Sequence, residues 1–277
     1  MKKKITSISG VTLIEILIGI VISVLMMAAM FTSYQAVNNT YSQVIDRAKI
    51  SQTGRDIIGM LTRDIRMAGF KYFDDTTKSP LNYVPILITK NSGSGCDKIE
   101  LTYGDRIYDK SKNPPITFVT YKITYECKAS NIIDKKTKAK IDAFGIYKSK
   151  VKWDGAQWVA PSSSTDDLIY RDELIVDHVQ DLIFIPIDEK GKRISPVPKT
   201  LNDSNKIKIV DIAFSVRSQK EFFRKAKKRD LLSLGVKSSK SHTDKFLRES
   251  IVVSAHTRNM GLQWLTIQKK VLQWFYL

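Results

Sequence analysis

The chain has 277 residues, 43% hydrophobic and 26% charged, which is ample for one sizeable core and excludes a wholly disordered polar protein. Lys and Arg number 45 against 28 Asp and Glu, a net charge of +17, so the chain either meets an anionic partner or carries a solvated basic surface. Its two cysteines, Cys96 and Cys127, stand in neither a Cys-x-x-Cys pair nor a Cys/His cluster, which excludes the usual zinc and thioredoxin-like patterns.

At the N-terminus Lys2, Lys3 and Lys4 lead into a short polar stretch that ends at Gly10. Val11-Thr12-Leu13-Ile14-Glu15 follows, and from Ile16 to Ile45 there is no charged residue. A helix needs about 20 apolar residues to cross the hydrocarbon core of a bilayer, and Val11 to Phe31 supplies them. The lysines then stay cytoplasmic and everything beyond the helix is exported. A secretory signal peptide with a cut near Ala28-Ala29 and a plain single-pass anchor are the competing readings. Neither accounts for Glu15, because a carboxylate inside an apolar span is costly and usually functional.

Gly10 followed by Val11-Thr12-Leu13-Ile14-Glu15 resembles the processing site of type IV pilins and type II secretion pseudopilins. The resemblance implies that a prepilin peptidase cuts between Gly10 and Val11 and methylates the new amine of Val11, where the family more often has Phe or Met. It also implies that Glu15 meets the ammonium terminus of a neighbouring subunit during assembly. An isolated carboxylate in lipid is destabilising, whereas a paired one is compensated. The expected division is a cleaved leader over 1–10, a membrane-spanning and filament-core helix over 11–34, and its amphipathic continuation over 35–70.

That continuation shows apolar residues at steps of three and four: Val37, Tyr41, Val44 and Ala48, then Ile58, Leu61, Ile65 and Ala68. Gly54 and Gly59 weaken the helix by about 1 kcal/mol each against Ala, which leaves room for a bend near them. Gly69 is the natural C-terminal cap, with Arg63 and Arg66 suited to the negative end of the dipole. The run Arg66-Met67-Ala68-Gly69-Phe70 resembles the corresponding ending in PilW-type minor pilins.

From about Lys71 the period changes to two, and residues 71–260 read as a β-rich domain. Expected strands are Val84–Thr89, Lys98–Tyr103, Val119–Glu126, Val151–Val159 with an Asp154-Gly155 hairpin turn, Glu173–Val179, Leu182–Ile187, Ile207–Val216 and Ser250–Thr257. The predicted fold class is therefore α+β: a long N-terminal helix, membrane-spanning in one half and amphipathic in the other, packed on a mostly antiparallel sheet. If the Lys98–Tyr103 and Val119–Glu126 strands pair antiparallel, Cys96 and Cys127 become neighbours. A disulfide there is worth roughly 3–4 kcal/mol by loop entropy, with two reduced thiols as the alternative.

Asn131–Lys140 reads as a Lys-rich loop. Residues 217–248 hold eleven basic residues against three acids, and read as a long basic loop with a short helix at Glu221–Leu232. Arg224, Lys225, Lys227, Lys228 and Arg229 are its candidate contacts to an anionic polymer such as DNA, although Phe222 and Phe223 do not interleave with them as stacking platforms would. The tail 261–277 is aromatic, from Trp264 to Trp274, Phe275 and Tyr276. His178, His242 and His256 lack metal-ligand spacing, there is no phosphate loop or nucleophile elbow, and Asp74-Asp75 and Asp166-Asp167 read as turns. No cofactor and no catalytic residue is expected.

The expected function is that of a minor pilin in the initiation of a type IV pilus. Its partners would be the prepilin peptidase, other minor pilins, the major pilin and the lipid of the bacterial inner membrane, with the C-terminal domain periplasmic. A J-type pseudopilin and a DNA-contacting competence minor pilin are the alternatives.

Overall fold

A computed structural model describes residues 10–71, 83–91, 96–108, 110–111, 113–134, 138–159, 169–223, 225–230 and 241–260. Residues 1–9 of the leader, Asp74-Asp75, Asp166-Asp167, Arg224, residues 231–240 and the aromatic tail lie outside the described residues. One helix, α1 (Leu13–Met67), runs through both of the compact units into which the chain divides, Met1–Ala48 and Lys49–Leu277.

In the first unit the helix is long and apolar enough to cross a membrane, and none of that stretch is buried. Leu13, Leu17, Val21, Leu25 and Phe31 are all more than half exposed. Such a surface is far larger than soluble monomers leave open, and it marks a membrane or protein contact.

In the second unit α1 behaves as an ordinary amphipathic helix. Ile50, Gly54, Ile57, Ile58, Leu61, Asp64 and Ile65 form its buried stripe. The helix runs unbroken through both glycines. At Gly54 packing accounts for the residue: a Cβ there would run into the Ile251 side chain and approach Phe214. The helix stops where expected. Gly69 takes φ +77°, a left-handed conformation that costs glycine least, and its N–H donates to the Thr102 carbonyl at 2.8 Å. Asn259 adds a second cap, its Nδ2 donating to the Arg66 carbonyl at 3.0 Å.

The stripe lies on an antiparallel sheet with strand order β1 (Ile86–Thr89), β2 (Lys98–Tyr108), β3 (Ile116–Ala129), β4 (Phe144–Trp153), β6 (Tyr170–Ile187), β7 (Ile209–Glu221) and β10 (Phe246–His256); the short β5 (Trp158–Val159) pairs with β4. A single turn of helix, α2 (Leu201–Ser204), precedes β7. Alternation explains the inner face. Ile99, Leu101, Tyr121, Ile123 and Tyr125 are buried together with Leu182, Phe184, Ile212, Phe214 and helix residues Leu61 and Ile65. The Asp154-Gly155 turn closes β4 on β5, with Asp154 Oδ1 accepting from Ala156 N–H at 2.8 Å and Gln157 N–H at 2.7 Å.

Three expectations are corrected. The two strands expected at Glu173–Val179 and Leu182–Ile187 are one strand, β6, with a register shift between Val179 and Asp181. β4 starts at Phe144, earlier than expected, and its partly lysine-bearing run continues the sheet. The basic segment 217–248 is not a loop with a helix at Glu221–Leu232. Its described residues extend β7 to Glu221, form the hairpin of β8 (Lys227–Asp230) with β9 (Ser241–Asp244), and begin β10. Ladder hydrogen bonds take the place of the helix there, and several basic side chains point inward.

Candidate functional site

Thr12 stands immediately before α1 and Glu15 lies in its first turn. Glu15 Oε2 accepts from the Thr12 N–H at 2.8 Å and from its hydroxyl at 2.9 Å, while the Glu15 N–H faces Thr12 Oγ1 at 3.4 Å. This reciprocal arrangement is a capping box, and it satisfies donors that a helix start otherwise leaves unpaired. The acid also sits at the positive end of the helix dipole. Among the described residues no cation pairs with Glu15. Gly10 and Val11 are exposed, and a Cβ at Gly10 would meet nothing within 4 Å. Among the described residues, packing therefore gives no reason for a glycine at position 10.

The second carboxylate of interest was not singled out in the sequence. Asp64, 4% exposed, faces the sheet. Its Oδ2 accepts from the Tyr125 hydroxyl at 2.6 Å and pairs with Lys148 Nζ at 2.9 Å. Both side chains of that ion pair are about 5% exposed, so each depends on the other for its charge. Lys148 also lies 5.2 Å from the Tyr125 ring centre. Burial, then the negative charge of Asp64, pushes the Tyr125 and Tyr103 phenols upward, so both stay neutral, Tyr125 as the donor to Asp64. Arg63 approaches Asp64 at 3.4 Å with a 71% exposed side chain, a contact that water largely screens. A signal was present: Asp64 falls three residues after Leu61 on the apolar stripe.

Cys96 and Cys127 form a disulfide with Cα atoms 6.0 Å apart. It closes the β2–β3 pair, whose register sets Ile99 opposite Tyr125. Beside it Asp97 binds the Lys90 ammonium at 2.6 Å and the Phe184 N–H at 3.0 Å, tying this corner to β6.

The five basic residues proposed for an anionic polymer separate. Lys225, Lys227 and Lys228 are exposed, and Arg224 lies outside the described residues. Arg229 is engaged internally: its guanidinium stacks 3.7 Å from the Phe223 ring and donates to the carbonyls of Asp244 at 3.3 Å and Phe246 at 3.2 Å. Among the described residues no group of three or more His, Cys, Asp or Glu is arranged to hold a metal ion.

A helix whose second half packs on an antiparallel sheet is the α+β, pilin-like fold. A type IV-like pilin from Thermus thermophilus shares it, with a TM-score of 0.50 and 11% sequence identity over 76% of this chain and 96% of that one. At that identity the likeness is one of fold. No protein-family model matches the sequence, and no curated protein does.

Proposed function

We propose that this chain is a minor pilin, a structural subunit and not an enzyme, which is held in the inner membrane by the first half of α1 and then takes part in starting a type IV pilus. The observation that carries the reading is the pilin-like fold joined in one chain to an unburied apolar helix whose first turn bears Glu15. The prepilin peptidase cuts after Gly10 and methylates the Val11 amine. Since nothing in the packing calls for glycine at position 10, recognition by a processing enzyme supplies a reason for it. Glu15 then receives the Val11 ammonium of an adjacent subunit. Thr12 holds the carboxylate from one side, through Oε2 only, which leaves acceptor capacity for that cation. The first half of the helix exchanges lipid for neighbouring pilin helices, and the β-rich domain lies on the periplasmic side and later on the filament.

The test is the N-terminal mass of the protein made with and without a prepilin peptidase. A mature start at methylated Val11 that disappears without the enzyme is the expected result. An intact Met1 in both preparations, or a cut near Ala29, would sink the reading. Recovery of the mature form in sheared pili would then separate the pilus role from that of a J-type pseudopilin.

A further inference from the structure

The middle of β6, the end of β7 and the start of β10 meet around two buried arginines. Arg217 and Arg248 are direct partners in the β7–β10 register, a placement in which like charges repel. Arg217 is 7% exposed and the Arg248 side chain 4%. The adjacent carboxylate is committed to only one of them. Asp244 binds Arg248 through two hydrogen bonds of 2.6 Å each, and Gln180 Oε1 accepts from the same guanidinium at 3.4 Å.

Arg217 has no such partner. Among the described residues no carboxylate lies within ion-pair distance of it, and its buried Nε has no hydrogen-bond acceptor. The register shift between Phe246 and Arg248 brings the Phe246 ring beneath it, 4.3 Å from the guanidinium carbon. That contact favours the cation but occupies its face, and it supplies no acceptor for the buried Nε. Burial, and then the Arg248 charge, holds the Arg217 pKa below the usual guanidinium value, with the more distant carboxylates of Asp244, Asp142 and Asp134 pulling the other way, although an arginine stays protonated in any protein. A buried cation left in this state is expensive unless something completes it.

Arg217 lines a cleft of about 680 Å³, within the size range of small-molecule sites. Ile132, Ile133, Ile141 and Phe246 make its apolar wall, and His178 and Lys220 flank the arginine. Ile133 is 58% exposed. His178 adopts φ +63°, a left-handed conformation of the kind that recurs at ligand sites. Burial and the neighbouring Arg217 charge favour its neutral form, against the pull of Asp177. The acids at the margin are Asp134 and Glu221. Glu221 faces Lys245 at 3.7 Å.

We propose that this cleft binds a small amphipathic anion, whose carboxylate or phosphate head pairs with the Arg217 guanidinium and whose apolar body lies on Ile132, Ile133, Ile141 and Phe246. A guanidinium fork matches either head group. The apolar wall accounts for a body, since a bare inorganic ion would leave the isoleucines wet. The cleft-lining residues all belong to the Lys49–Leu277 unit.

The test uses the full chain in lipid nanodiscs, with isoleucine methyl groups labelled for NMR and titrated with phenylpropionate and with phenyl phosphate. Saturable shifts of the Ile132, Ile133 and Ile141 methyls are expected with at least one of them. The tighter of the two identifies the head group as carboxylate or phosphate. Phenylpropanol and inorganic phosphate should each bind at least about tenfold more weakly, as expected for losing a charge-assisted contact or the buried apolar area. Arg217→Met should abolish the shifts while leaving the melting temperature unchanged or higher, because it removes an uncompensated buried charge. Arg217→Lys, which keeps the charge and loses the fork, should weaken binding and serves if the Met variant does not fold. Equal binding of the alcohol, equal binding of inorganic phosphate, absence of any saturable shift, or unchanged affinity in both Arg217 variants would each overturn the proposal.

Discussion

The two halves of α1 each carry one carboxylate that interrupts an apolar surface, and the two are treated in opposite ways. Asp64 is buried, and its partners Lys148 and Tyr125 come from the same chain. Glu15 is exposed and bound only by the residue that caps its own helix, with no cation among the described residues. A buried charge must be neutralised inside the fold, or the fold pays several kcal/mol. A charge on an unburied apolar helix can wait for a partner that arrives later. On the proposed function, the difference separates a helix half that is finished on folding from one that is finished by assembly.

The comparison breaks most visibly at assembly. Glu15→Val should leave the unfolding of the Lys49–Leu277 unit unchanged while abolishing recovery of the protein in sheared filaments. Normal incorporation of the variant would remove the proposed role of the carboxylate. On the other side of the comparison, Asp64→Ala should destabilise the β-rich unit by about 3–5 kcal/mol, since Lys148 is left buried and unpaired. Urea unfolding followed by tyrosine and tryptophan fluorescence measures this. The double change Asp64→Leu with Lys148→Met should return stability to within about 1 kcal/mol of the parent or above it. A double variant as unstable as the single one would mean that the pair is not the source of the loss.

The same contrast governs what the sequence made legible. The membrane-length helix, its end at Gly69 and the strands with clean alternation, such as Val119–Glu126, follow from periodicity and turn chemistry. What stayed hidden is charge turned inward. Lys148 interrupts the pattern of β4 because it serves Asp64, and so periodicity alone starts the strand late. Arg217 and Arg248 made a strand pair look like a solvated loop, since a count of basic residues carries no direction. β6 was divided because a bulge at Gln180-Asp181 resembles a break in periodicity. The candidate site divides likewise. Gly10, Val11 and Glu15 form a local motif readable in one stretch, whereas the Arg217 cleft is assembled from β6, β7, β10 and the separate residues Ile132, Ile133, Asp134 and Ile141.

The disulfide is a covalent device found only on the folded side. With 31 residues separating its cysteines, the Cys96→Ser/Cys127→Ser variant should lose about 3–4 kcal/mol by loop entropy. That is less than the largest loss expected at Asp64, and reduction of the parent should reproduce it. A loss below about 1 kcal/mol would show that the Lys90, Asp97 and Phe184 contacts hold the corner unaided.

The smallest effect distinguishes the two faces of α1 itself. Gly59 is exposed, and a Cβ there meets nothing within 4 Å, whereas at Gly54 it meets Ile251. Gly59→Ala should therefore stabilise the β-rich unit by about 0.5–1 kcal/mol, the ordinary helix-propensity gain. Gly54→Ala makes the same gain but must displace the Ile251 side chain, a repacking that costs about 1–3 kcal/mol in a filled core. Its net effect should be neutral to destabilising, and Ile251→Val in the same chain should relieve it by removing the methyl group in the way. Thermal unfolding of the four variants, the two alanines, the valine and the double change, measures the coupling directly. Additive effects of Gly54→Ala and Ile251→Val would show that the helix does not rest on β10 through this glycine. A clear positive coupling would place the close approach of helix and sheet at Gly54, where a glycine is kept at the expense of helix propensity.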